Sequence, residues 1–102
     1  MAYTKFHATA SGNNCVIAGQ SGKTIRVQAI FFQCGSLTEV TLRSGTAAAG
    51  DLTGAMQFQT GGGINLPLAG VDLFVCNTDE QFTLKLAGLA PDCAGALIYT
   101  QE

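Results

Sequence analysis

Apolar residues in this chain recur at every second position, in short runs. Phe82, Leu84 and Leu86 alternate with Thr83 and Lys85, and Val40 and Leu42 alternate with Thr41 and Arg43. Successive side chains of a strand point to opposite faces, so this rhythm predicts half-buried β-strands. The runs read "AYTKFHAT", "NCVIA", "KTIRVQAIFFQC", "LTEVTLRS", "GAMQFQ", "VDLFVCN", "QFTLKLAG" and "AGALIYTQ". "GINLPL" is a further candidate, which Pro67 confines to a sheet edge or a loop. Between the runs lie "SGNN", "GQSG", "TGGG", "NTDE" and "LAPD", whose Gly, Asn, Asp and Ser supply turn chemistry. The best helix candidate, "TAAAGD", is too short to nucleate and is broken by Gly50. In a chain of 102 residues this predicts one all-β domain over residues 1–102. Its architecture is expected to be an antiparallel β-sandwich of jelly-roll type with about eight short strands.

The third run departs from the simple rhythm. Ile25, Val27, Ala29 and Phe31 alternate with Arg26 and Gln28, yet from Ala29 to Phe32 both faces are apolar. Leu73 to Val75 has no polar side either. A strand apolar on both faces is covered on both faces, and a neighbouring subunit or a folded-over loop can supply the cover. Ile30 and Phe32 are read as the outward-leaning residues of the third run, opposite a face that holds Ile25, Val27 and Phe31. With Phe74 they form the candidate interface. Phe31, Phe58, Phe74 and Phe82 are assigned to the core. Charged residues make up only 12% of the chain against 47% hydrophobic, about half the usual charged share. A surface so weakly charged is expected to be covered in part by copies of the chain or by a partner.

One stretch imitates a known chemistry. "SGKT", Ser21 to Thr24, ends as nucleotide-binding phosphate loops end. Such a loop needs a glycine, four residues, then Gly-Lys-Ser/Thr and a helix. The glycine position is taken by Ile17, Gly19 comes too late, and "TIRVQAIFF" reads as a strand. The segment is therefore expected to be a turn, with Lys23 a solvated charge. His7 is the lone histidine, without a nucleophile and orienting acid assigned to it. Asp79 and Glu80 are adjacent and read as a hairpin tip, not as a carboxylate pair or a calcium series; Asp51 and Asp72 are isolated. Gly61, Gly62 and Gly63 read as a flexible connection. With no Trp, the exposed stacking platform of a carbohydrate module is not evident. No motif supports catalysis, and neither a cofactor nor a metal site is expected.

A net charge of −2, with no two Lys or Arg adjacent, disfavours nucleic acid as the main ligand. No apolar run approaches the roughly 20 residues of a membrane span, and "MAYTKFHATASG" lacks the apolar core of a signal peptide. Synthesis in a cytoplasm is the expectation. Cys15, Cys34, Cys76 and Cys93 form no Cys-x-x-Cys pair, which argues against zinc. Free thiols are the default in a reducing compartment.

The order of elements resembles small structural proteins of tailed bacteriophages. The lead-in "V-x-A-G-x-x-G-K-x-I-R-V" corresponds to Val16 to Val27. The middle "L-T-G" with a Gly-rich loop corresponds to Leu52 to Gly54 and Gly61 to Gly63. The closing "G-x-L-x-Y"-like strand corresponds to Gly95 to Tyr99. The resemblance spans most of the chain and rests on strand and turn residues; the four cysteines depart from it. It implies a virion component made in the host bacterial cytoplasm. The first expectation is a non-enzymatic capsid decoration, or cement, protein on the capsid exterior. It would bind the major capsid protein, stabilise the head and form a homo-oligomer, a trimer before a dimer. The alternative is a tail or fibre component that binds a receptor or glycan. In that family the "SGKT" element is a structural turn.

Overall fold

A computed structural model describes residues 2–102 of the chain. Among these residues nine strands follow one another, with a single 3₁₀ turn at Ala48–Gly50 where the helix candidate lay. The first four are β1 (Ala2–Ala8), β2 (Gly12–Ile17), β3 (Ile25–Cys34) and β4 (Thr38–Ser44). Then come β5 (Met56–Phe58), β6 (Gly63–Leu66), β7 (Phe74–Val75), β8 (Phe82–Ala87) and β9 (Cys93–Gln101).

All pairings are antiparallel, and they fall into two sheets. One has the order β1-β9-β3-β6, with β7 also on β3; the other has the order β2-β8-β4-β5. The first half of the chain thus pairs with the second half in reverse: β1 with β9, β2 with β8, β3 with β6 and β7, β4 with β5. A long antiparallel double ribbon wrapped into two facing sheets has this pairing. The fold is a jelly-roll β-sandwich.

Strands β6 and β7 occupy one sheet edge. β6 pairs with Ile30–Gln33 and β7 with Arg26–Val27, so the chain leaves the edge at Pro67 and returns at Leu73. Pro67 has no N–H to donate, which suits it to the point of departure. The expected run "VDLFVCN" is a strand only at Phe74–Val75, and ahead of it Asp72 accepts from the Arg26 and Gln28 side chains. Counted as one interrupted strand, β6 and β7 bring the total to the eight positions of a jelly roll.

The core lies between the sheets. Ile25, Val27, Ile30, Phe32 and Leu97 from one sheet meet Val40, Leu42, Phe82, Leu84 and Leu86 from the other, all buried. Phe32 stands edge-on to Phe58, with ring centroids 5.4 Å apart.

The phase of β3 corrects the expectation for its second half. Val27 faces Tyr99 and Ala29 faces Ile98, so Gln28 is an extra residue on the β3 side of the ladder. A bulge of this kind shifts every later side chain to the opposite face. Ile30 and Phe32, expected to lean outward, are core residues at 1% and 3% exposure; Phe31, expected in the core, is 54% exposed. Phe74 packs partly buried against the core.

Candidate interaction surface

The outer face of the β1-β9-β3-β6 sheet can be read in rows across its register. Tyr3 lies beside Ile98, and Ile98 beside Ala29. The next row runs Lys5, Ala96, Phe31, Asn65, and the next His7, Ala94, Gln33, Gly63. Polarity therefore changes along the strands, from an apolar row to a polar one. The small Ala96 on the central strand leaves a trough between the Tyr3 and Phe31 rings, and the chain from Pro67 to Leu68 forms one wall. The resulting groove encloses about 240 Å³. Tyr3, Phe31 and Leu68, which line it, are all exposed. Lys5 stands opposite Ala96 in the register, and the Arg26–Asp72 ion pair, at 3.1 Å, ties β3 to the chain that returns to it.

The apolar character of this face was expected, but its residues were misassigned. The sequence places Ile30 and Phe32 here; the Gln28 bulge puts Phe31 in their place. Tyr3 and Leu68 carried no signal in sequence, because one sits on a strand that alternates normally and the other in a loop.

A second apolar depression, of about 430 Å³, lies between the β3–β4 and β8–β9 turns, where Leu37 and Leu89 are exposed. Its apolar side chains come mainly from the turns, with Glu39, Gln57 and Ala87 from the adjoining strands, whereas the first is floored by paired strands.

The "SGKT" segment is a turn that opens into β3. Gly22 adopts a φ of +75°, which glycine takes readily, and its N–H donates to the Asp79 carboxylate. Asp79 N–H donates to the Lys23 carbonyl at 2.9 Å, and the Thr24 and Thr78 hydroxyls are 2.8 Å apart. An N–H that a phosphate loop would aim at its ligand already holds an internal anion. The pair Asp79–Glu80, expected as a hairpin tip, instead sits in the crossing from β7 in one sheet to β8 in the other. Glu80 Oε1 accepts from Ser44 Oγ at 2.7 Å and from Asn77 Nδ2 at 2.9 Å, and Ser44 Oγ in turn accepts the Asn77 N–H.

The Ser44 and Asn77 bonds lower the Glu80 pKa below the usual glutamate value. A carboxylate depressed in the fold stabilises it above the unfolded pKa and loses that contribution as pH falls through the folded one. Urea midpoints measured at descending pH should therefore fall once the ordinary glutamate range is passed. In Glu80→Gln the fall should be shallower, and superimposable profiles would refute the role given to these bonds.

His7 is not solitary. Its Nε2 lies 2.6 Å from Asp92 Oδ1, with both side chains open to solvent. They border a recess of about 360 Å³ with Gln33, Thr60 and Gly61. Cys34 adjoins this recess with its side chain fully buried, and burial pushes its thiol above the usual value, the opposite of an activated nucleophile. Asp51 and Asp72 are likewise partnered, with Arg43 and Arg26. Among the described residues, no three His, Cys, Asp or Glu side chains cluster as metal ligands would. No helix there is long and apolar enough to cross a membrane.

No protein-family model, curated protein or solved structure matches this chain.

Proposed function

We propose that this chain is a non-enzymatic bacteriophage capsid decoration protein that binds the major capsid protein on the outer surface and stabilises the head. The observation that carries the reading is the apolar groove face of Tyr3, Ala29, Phe31, Leu68 and Ile98 on the outside of a folded sheet. Exposed apolar patches rimmed by polar residues mark interaction surfaces. The jelly roll is a fold used by viral shell proteins, and the resemblance of the turn and strand motifs to phage structural proteins points the same way.

Cementing needs no catalytic pocket. It needs apolar area that is covered on docking, at about 25 cal/mol per Å², and repetition over many copies. In a trimer each subunit's modest contact becomes intramolecular once the first is made, which multiplies retention without new contacts. The face fits either a capsid subunit or a second copy of the chain.

The test compares particles with and without the protein under heat or low-salt shock. Particles carrying it should retain their DNA longer, and purified protein should add to bare capsids. Phe31→Asp should bind those capsids at least about 100-fold more weakly, the equivalent of roughly 2.7 kcal/mol. If particles without the protein hold their DNA equally well but fail to attach to host cells, the receptor-binding alternative replaces this reading.

A further inference from the structure

Two of the four cysteines are brought together by the sheet. Cys34 ends β3 and Cys93 begins β9, and they are direct partners in the register. The backbone bonds of Cys34 turn away from β9: its N–H donates to Gly62 O and its carbonyl accepts from Gly61 N–H, both at 2.7 Å. The bond that flanks the pair toward β9 runs from Gly35 N–H to Asp92 O at 3.0 Å. Cys34 and Cys93 therefore occupy a non-hydrogen-bonded position of the ladder. Facing Cα atoms there approach to about 4.5 Å, within the span of about 4.4–6.8 Å that a disulfide bridges. Both side chains are fully buried in the core, and each thiol lies close enough to act on the other's ionisation.

The other two cysteines have no such partner. Cys15 is exposed on the opposite sheet and faces Thr83. Cys76 is buried where its N–H meets Ile25 O, at the far end of β3.

We propose that Cys34 and Cys93 are a dithiol–disulfide site that closes when the chain folds in the presence of a low-molecular-weight disulfide, stapling the two central strands of the first sheet. The exchange balances in two steps. One cysteine thiolate attacks a sulfur of the small disulfide, forming a mixed disulfide and expelling one small thiolate. The second cysteine thiolate attacks the protein sulfur of the mixed disulfide and expels the other. The cysteines lose two electrons and two protons, and the small disulfide leaves as two thiols. Once the sandwich has closed, both sulfurs are sealed from solvent, and burial first of all pushes Cys93 up to about 12. Thiolate is then scarce and unreachable, so each redox form is locked in by the conditions under which the chain folded. The inference is independent of the capsid reading.

The reduced, unfolded chain is refolded in mixed reduced and oxidised glutathione, its free thiols are alkylated, and peptides are mapped without reduction. The expected product links Cys34 to Cys93 and leaves Cys15 and Cys76 alkylated. The bridge closes a loop on the order of 60 residues, so the linked chain should melt about 10 °C or more above the dithiol form. Oxidised glutathione added to folded dithiol protein should form the bridge at least about 10-fold more slowly than refolding does. A different main bridge, no bridge, or a linked chain that melts below the dithiol form would overturn the site. Equal rates would overturn the locking. The mapping uses the native sequence, so it does not depend on a variant that folds.

Discussion

Phe32→Asp is expected to leave no cooperatively folded protein, whereas Phe31→Asp, one residue earlier on the same strand, should keep a native β signal. The two differ only in the face they occupy. Phe32 is sealed between the sheets against Phe58. Removing such a ring costs about 3–5 kcal/mol, and an unpaired carboxylate in its place adds several more. Together these approach the whole stability of a typical domain, about 5–15 kcal/mol. Phe31 points into solvent beside Tyr3 and Ala96, where a charge is hydrated. Its substitution should shift the urea midpoint within the usual surface range of about 0.5 kcal/mol. Circular dichroism and urea titration of both variants, with Ile30→Asp as a second core probe, read the outcome directly. A folded Phe32→Asp beside an unfolded Phe31→Asp would mean that the bulge at Gln28 is wrongly placed.

That bulge shows which parts of the molecule could be read from sequence. The alternation in β8 and β4 gave their strand positions and core faces, because one register without interruption relates pattern to face. In β3 two phases conflict. Ile25 and Val27 set one, while Ile30, Phe32 and Cys34, separated by the polar Gln33, set the other. Continuing the first phase through Gln28 assigns Phe31 inward; only an extra residue reconciles the two runs. The jelly-roll topology was expectable as a class, but the pairing of β1 with β9 joins opposite ends of the chain, which no local pattern reports.

The candidate surface was legible as an excess of apolar residues, not as a place. Its location needs the bulge, the excursion from Pro67 to Leu73 and the small residues on β9. The polar partners were less accessible still. His7 with Asp92, Arg26 with Asp72 and Glu80 with Ser44 are brought together by strand pairing and turns, so each residue reads as isolated in sequence.

Arg43 and Asp51 carry the same lesson into stability. By alternation Arg43 belongs to the solvent side of β4, and Asp51 is an isolated acid. In the fold the segment after the 3₁₀ turn returns along β4: Leu52 N–H donates to Leu42 O at 2.8 Å, and Leu42 N–H donates to Thr53 Oγ1 at 3.2 Å. Arg43 and Asp51 become bridge partners, with Nε 2.6 Å from Oδ1. The Arg43 side chain is only 9% exposed, and its remaining partners are Asn13 Oδ1 at 3.0 Å and, at 3.5 Å, the Thr46 carbonyl. Asp51→Ala therefore leaves a guanidinium in a nearly closed site without its counter-charge. Breaking a fully buried pair costs about 3–5 kcal/mol; because Asp51 is itself 32% exposed, water can partly replace it, and about 2–3 kcal/mol is expected. Arg43→Met with Asp51→Ala should lose less than Asp51→Ala alone, since the double variant has no stranded charge and the Met chain fills the channel of the arginine stem. The urea midpoints of the two single variants and the double variant give the coupling. Additive losses would show that the pair acts as two independent surface residues, and that the return of the loop along β4 is held by its backbone bonds alone.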